Sequence, residues 1–203
     1  MKDLSPLLEK SAQHHNHLCP RQILGVRIGL AGMDALGLEA NEGSKRLLIM
    51  IETDGCFADG VIAATNCSLG HRTLRVEDYG KVAATFIDTT TGRSLRVAPV
   101  INVRQQACDC CPDESRHYFA QMQAYQVMPD KKLVTITEVH LATPVEKIVS
   151  RPGMRVDCAS CGEEIMNERE VMVQGQPMCC ACAGRSYYQT PVQMPVFSLR
   201  NEM

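Results

Sequence analysis

Apolar positions follow two rhythms along the first three quarters of the chain. From Pro20, the residues Ile23, Leu24, Val26, Ile28, Leu30, Met33 and Leu36 form a broad apolar face at helical spacing, with Gly37 as the stop. A shorter helix is expected over residues 4–13, with Pro6 tolerated in its first turn. Residues 45–52 read as a buried strand that ends in the turn Thr53-Asp54-Gly55-Cys56. The small residues of 58–67 suit a helix packed closely on a sheet. Residues 82–87 and 95–103 read as strands joined by Asp88-Thr89-Thr90-Thr91-Gly92, 114–127 as a helix, and 132–141 as an alternating strand.

Helices interleaved with strands predict an α+β core, a mixed sheet flanked by helices. The hairpin-like pair within 82–103 argues against a purely parallel sheet. Pro144 and Pro152-Gly153 then interrupt the pattern. The expected division is a core domain over 1–150 and a small module over 151–203, whose short apolar runs cannot build much of a core.

Composition narrows the function. Lys+Arg number 21 against Asp+Glu 23, a formal charge of −2, so nothing steers the chain towards nucleic acid or anionic membrane. The longest aliphatic run, Leu47-Leu48-Ile49-Met50-Ile51, is too short to span a bilayer, and the N-terminus lacks the apolar stretch of a secretion signal. A cytoplasmic protein is expected. Eleven cysteines in a reducing compartment point to metal ligands, reactive thiols or buried packing rather than disulfides.

Two Cys-x-x-Cys knuckles, Cys158-Ala159-Ser160-Cys161 and Cys179-Cys180-Ala181-Cys182, are separated by the seventeen residues from Gly162 to Met178. Each knuckle puts two thiolates on one turn, and a hairpin between them brings the pairs around a tetrahedral ion. Structural zinc on Cys158, Cys161, Cys179 and Cys182 is the expectation, with Cys180 left over.

Further signals lie in the core. His15-Asn16-His17-Leu18-Cys19-Pro20 packs two imidazoles and a thiol just ahead of a helix, where the helix dipole favours a thiolate. Solvated histidines beside a buried Cys19 explain the same residues equally. Glu52-Thr53-Asp54-Gly55-Cys56 puts acids and a thiol at a strand end, where α/β sheets place ligand groups. Asp54 and Asp59 would otherwise cap the next helix, and Cys67 reads as packing. His71 and Lys81 would meet an anionic ligand or sit on the surface. Cys108-Asp109-Cys110-Cys111-Pro112 is a third thiol cluster, a redox-sensitive loop or an incomplete site, with incidental thiols the favoured reading over metal or persulfide handling. His117 and His140 are isolated.

Taken with Asn66-Cys67-Ser68-Leu69-Gly70 and Tyr79-Gly80-Lys81, these motifs resemble the E-subunit family of formylmethanofuran dehydrogenase, and the cysteine quartet resembles the zinc-finger domain of its longer members. Asn16 and Arg21 stand where the family pattern carries glycine. The resemblance implies a thioredoxin-like core that forms homodimers. It also implies a metal-binding accessory protein, or a metal- or thiol-dependent oxidoreductase component, linked to the molybdenum or tungsten dehydrogenase and to one-carbon metabolism. The pterin centre would lie in other dehydrogenase subunits. Carried over, His15, His17, Cys19 and Cys56 would hold a second transition metal (zinc, nickel or iron), with Asp54 as proton acceptor and Lys81 as charge partner. Without a metal, Cys19 and Cys56 would act as a redox pair.

Two other classes compete. A zinc-ribbon regulatory or nucleic-acid-binding protein needs a basic surface that the ribbon's net charge of about −1 argues against. A protein–protein interaction module without catalysis would use the ribbon and the extended tail Thr190-Pro191-Val192-Gln193-Met194-Pro195-Val196-Phe197.

Overall fold

In the computed structural model the described residues are 3–13 and 17–189. The chain divides between Val145 and Glu146 into two compact units. The first unit runs α1 (Ser5–Ala12), α2 (Pro20–Leu36), β1 (Leu47–Ile51), α3 (Cys56–Thr65), β2 (Leu74–Val76), β3 (Ala84–Asp88) and β4 (Ser94–Pro99). It continues with α4 (Val103–Cys110), α5 (His117–Val127), the single turn α6 (Asp130–Leu133) and β5 (Val134–Glu138).

The five strands order as β2-β1-β3-β4-β5, parallel only between β1 and β2. The sheet is therefore mixed, as the apolar pattern predicts. In register, Ile49 lies opposite Phe86 and Phe86 opposite Leu95. Alternation puts Leu47, Ile49, Ile51, Ala84, Phe86 and Val97 into one core with Ile23, Val26 and Ile28 of α2. Each such large apolar side chain taken fully out of water contributes roughly 1.5–3 kcal/mol.

The central helix α2 packs against α1, α3, α5 and strands β3 and β4. Its crossing with α3 is made of glycine. A Cβ on Gly25 would collide with the Phe57 carbonyl and come within 2.9 Å of Gly60 Cα; a Cβ on Gly60 would collide with the Gln22 carbonyl. One turn on, a Cβ on Gly29 would lie 2.8 Å from that of Ala64. The pairs 25/60 and 29/64 advance together, so the two helices run parallel and begin at the same end. Buried Arg27 fastens α5 to α2 from the other side. Its guanidinium donates to the carbonyls of Tyr125 and Met128, both at 2.6 Å, and to the Asp130 carboxylate.

The apolar pattern misreads one element. Residues 95–103 are not one strand: β4 ends at Pro99, Asn102 takes a left-handed conformation (φ +66°), and Val103 begins a helix. The β-branched run Val100-Ile101 imitates a strand, but Ile101 is 87% exposed. Cys108 and Cys110 accordingly lie in α4 rather than in a loop, with Cys111 at its end. The three-residue β2 is too short to leave a period.

The second unit holds two antiparallel hairpins, β6 (Arg155–Asp157) with β7 (Glu164–Met166) and β8 (Val171–Val173) with β9 (Gln176–Met178). Among its described residues only Ser150, Cys158 and Ile165 are buried. No helix among the described residues is long and apolar enough to cross a membrane.

Candidate functional site

In the second unit, the ligand atoms of Cys158, Cys161, Cys179 and Cys182 all lie within 4.8 Å of one another. Four sulfurs around a zinc ion at ~2.3 Å stand about 3.8 Å apart, so the donor set and its spacing fit zinc. Local folding builds each knuckle. The Cys179 N–H donates to the Cys158 sulfur at 3.2 Å and the Cys182 N–H to the Cys179 sulfur at 3.4 Å. Gly162 (φ +75°) and Gly184 (φ +83°) turn the chain after the knuckles. Backbone N–H groups of Cys161 and Cys179 pull the Cys158 thiol down to about 6. Cys161 goes the other way, to about 12: the Glu163 N–H favours its thiolate, but the neighbouring thiols and burial outweigh it. Four thiolates this close require a cation between them. Exposed Cys180 stands outside the set, its sulfur accepting from Arg185 at 3.4 Å.

In the first unit, the parallel start of α2 and α3 brings two distant thiols together. Cys19 is the N-cap of α2, and Cys56 is the first residue of α3. Fully buried Gln22 fixes the first: its Oε1 accepts from the Cys19 N–H at 2.7 Å, and its Nε2 donates to the Ser11 carbonyl at 3.0 Å. Gly55 (φ +72°, ψ −154°) turns the chain into α3 through a conformation reserved for glycine. Neither Asp54 nor Asp59 takes the cap position. Cys19 and Cys56 line one cavity, and burial, followed by the neighbouring Cys19 thiol, raises the Cys56 thiol above its ordinary value. Both positive helix ends face the pair.

The pair sits in a cavity of about 510 Å³ that His17, Arg21, Arg104, Tyr118 and Gln121 also line. Leu24, Val82, Pro99 and Val103 give it apolar walls. The Tyr118 hydroxyl donates to the Leu18 carbonyl at 3.1 Å. Burial, then the charges of Cys19 and Cys56, raise its ionisation above the usual phenol value. Tyr125, at the back, is pushed up to about 12 by burial.

The remaining expected site residues divide. His17 reaches the cavity and is exposed, whereas His15 falls outside the described residues, as does the tail from residue 190. Asp54 and Lys81 are exposed and do not line the cavity. Glu52 is taken by Arg96 through two hydrogen bonds of 2.5 and 2.7 Å. Among the described residues the zinc quartet is the one set of three or more His, Cys, Asp or Glu ligands drawn this close; His17, Cys19 and Cys56 do not form such a set. No sequence motif singles out Arg104, Tyr118 or Gln121. Arg104 lies in a helix starting at Val103 that the strand-like run before it hides, whereas Tyr118 and Gln121 lie in α5, within the helix expected over 114–127.

Comparison with known proteins agrees with both units. A family model described as FmdE, molybdenum formylmethanofuran dehydrogenase operon, matches residues 14–135. A prokaryotic dksA/traR C4-type zinc finger model matches residues 153–188. A probable S-adenosyl-L-methionine-binding protein of Archaeoglobus fulgidus is 35% identical over 97 residues, 46% of this chain and 26% of that protein. The chain thus matches about a quarter of that relative's length. The crystal structure of a tungsten formylmethanofuran dehydrogenase FmdE-like protein from Syntrophus aciditrophicus has the same fold. Its TM-score is 0.60 at 22% identity, covering 93% of this chain and 96% of that one.

Proposed function

The chain belongs to the FmdE family, and on that footing we propose that it is a metal-binding accessory protein whose working centre is the Cys19–Cys56 pair. The observation that carries this reading is the placing of two thiols from separate helices in the lining of one cavity. Thiolate and imidazole donors suit zinc, nickel or iron. Cys19 and Cys56 would hold the ion, His17 at the cavity edge would turn in as a third ligand, and His15 would be a fourth. A bound ion would supply Lewis acidity, and a ligand set short of four would leave a position for water or substrate. The chain's own part is to fix the sulfurs through Gln22 and the glycine crossing, and to exclude water with Leu24, Val82 and Tyr118. The C4 zinc finger holds the second unit together. The family name supplies the link to formylmethanofuran dehydrogenase; components of that enzyme and a second copy of this chain are the partners this reading names.

Metal content of the purified full chain tests it. Wild type should carry the finger zinc and a second ion. Cys158→Ser/Cys161→Ser should lose the finger zinc alone, and Cys19→Ser/Cys56→Ser should lose the second ion alone. A Cys158→Ser/Cys161→Ser chain free of metal would refute the core centre as a metal site. The neighbouring thiols also favour a second reading, a dithiol that cycles to a disulfide. Under it the core carries no ion, and the pair oxidises reversibly in a thiol–disulfide buffer.

A further inference from the structure

The cavity above the two thiols has a one-sided charge. Its charged lining residues are Arg21 and Arg104, and no Asp or Glu lines it. Arg21 lies in the first turn of α2 and Arg104 in the first turn of α4, so two separate elements place them on one cavity. Other arginines of this unit are engaged: Arg27 with Asp130, Arg46 with Asp88, Arg93 with Glu138, Arg96 with Glu52. Arg21 and Arg104 have no hydrogen-bond or ion-pair partner among the described residues. Two exposed guanidiniums on one cavity, with two positive helix ends beside them, favour negative charge there, and outnumber the Asp59 carboxylate whose charge also reaches Cys56. The walls opposite are apolar and aromatic, from Leu24, Val82, Val103 and Tyr118.

We propose that the Cys19–Cys56 cavity takes a small organic anion, with an apolar body against these walls and its charged head held between Arg21 and Arg104. The proposal rests on Cys19 and Cys56 being the working centre and deepens that reading by giving the class of molecule admitted. Arg21 and Arg104 are the specificity residues.

Two alkylating agents of nearly the same size separate charge from access: iodoacetate, an anion, and iodoacetamide, which is neutral. The full chain is treated with EDTA, so that a metal on the pair does not mask it, and modification of each cysteine is followed by peptide mapping. Exposed Cys110 of α4 is the reference thiol in the same molecule. The iodoacetate-to-iodoacetamide rate ratio at Cys19 and Cys56 should exceed that at Cys110 by about tenfold. It should fall to the Cys110 value in Arg21→Gln/Arg104→Gln. Changes in thiol ionisation cancel in the ratio, since both reagents attack the same thiolate. Equal ratios at the pair and at Cys110, or a raised ratio that survives the double substitution, overturn the proposal. Failure of both reagents to reach either thiol also overturns it, because the cavity then admits no ligand. Metal analysis before EDTA reports separately on whether the pair holds an ion, so the two readings fail by different measurements.

Discussion

Gly60→Ala puts the helix crossing under test, because two effects pull its sign in opposite directions. On helix propensity alone, alanine stabilises an interior position by about 1 kcal/mol relative to glycine. Here the new Cβ would collide with the Gln22 carbonyl and lie 2.8 Å from Gly25 Cα. Both are backbone atoms, so no side chain can swing away, and the helices must move apart. Overpacking of this kind costs typically 1–3 kcal/mol, and rigid backbone contact puts this site at the upper end. The net expectation is a loss of about 1–2 kcal/mol. At roughly 2–4 °C per kcal/mol for a domain of this size, the thermal midpoint of the first unit should fall by about 2–8 °C. The crossing lies one to two turns from Cys19 and Cys56, so a shift there spreads the two sulfurs. Oxidation of the pair to a disulfide, measured in a thiol–disulfide buffer, should become less favourable in step with the fall in melting temperature. A midpoint that rises, with disulfide formation unchanged, would show that the helices do not touch through their backbones and that something else joins the thiols.

Two further predictions concern ion pairs with different surroundings. Arg27→Leu should cost about 2–4 kcal/mol in urea titration, because it leaves the Tyr125 and Met128 carbonyls without their donor; Asp130→Asn, at a carboxylate 65% exposed, should cost under about 1 kcal/mol. Comparable losses from the two would refute this division. Asp88 accepts from Arg46 at 2.9 and 3.0 Å and from Thr90 and Thr91 at 3.0 Å, and the Arg46 hydrogen bonds chiefly hold its carboxyl well below the ordinary value of 3.8. A folded-state value below the unfolded one means that its stabilisation is complete above about pH 4 and is lost as the solution becomes more acidic. The stability gap between wild type and Asp88→Asn should therefore stay constant from pH 7 to about 5 and narrow below pH 4; a gap that widens on acidification would contradict the assignment.

How far each site was legible depended on sequence distance. The zinc finger is local: two knuckles, two turn glycines and the short strands around Gln174-Gly175 lie within one stretch, so spacing alone places its ligands. The core pair joins residues from different helices. Cys19 and Cys56 each announce themselves by standing just before an apolar helix, but their meeting depends on α2 and α3 running parallel through Gly25 and Gly60, which no periodicity encodes. Asp54 and Lys81 belong to the motifs that carry the resemblance, yet membership of a motif does not fix where a side chain stands. A residue at a strand end faces the cavity only if the turn aims it there, and the turn at Gly55 delivers Cys56 while leaving Asp54 in solvent. Arg104 is hidden because its helix follows a strand-like run whose exposed Ile101 carries no packing, while Tyr118 stands in an expected helix where no motif aims it at the thiols.

The seventeen residues of α2 extend about 25 Å from the sulfur pair to Gly37. The connection that follows, between Gly37 and Leu47, therefore starts at the end of α2 away from the sulfurs. Asn41 ties that connection to the Thr65 carbonyl, but the residues from Glu42 to Lys45 are exposed, so a fluorescent reporter spliced in there leaves the chemistry at the other end alone.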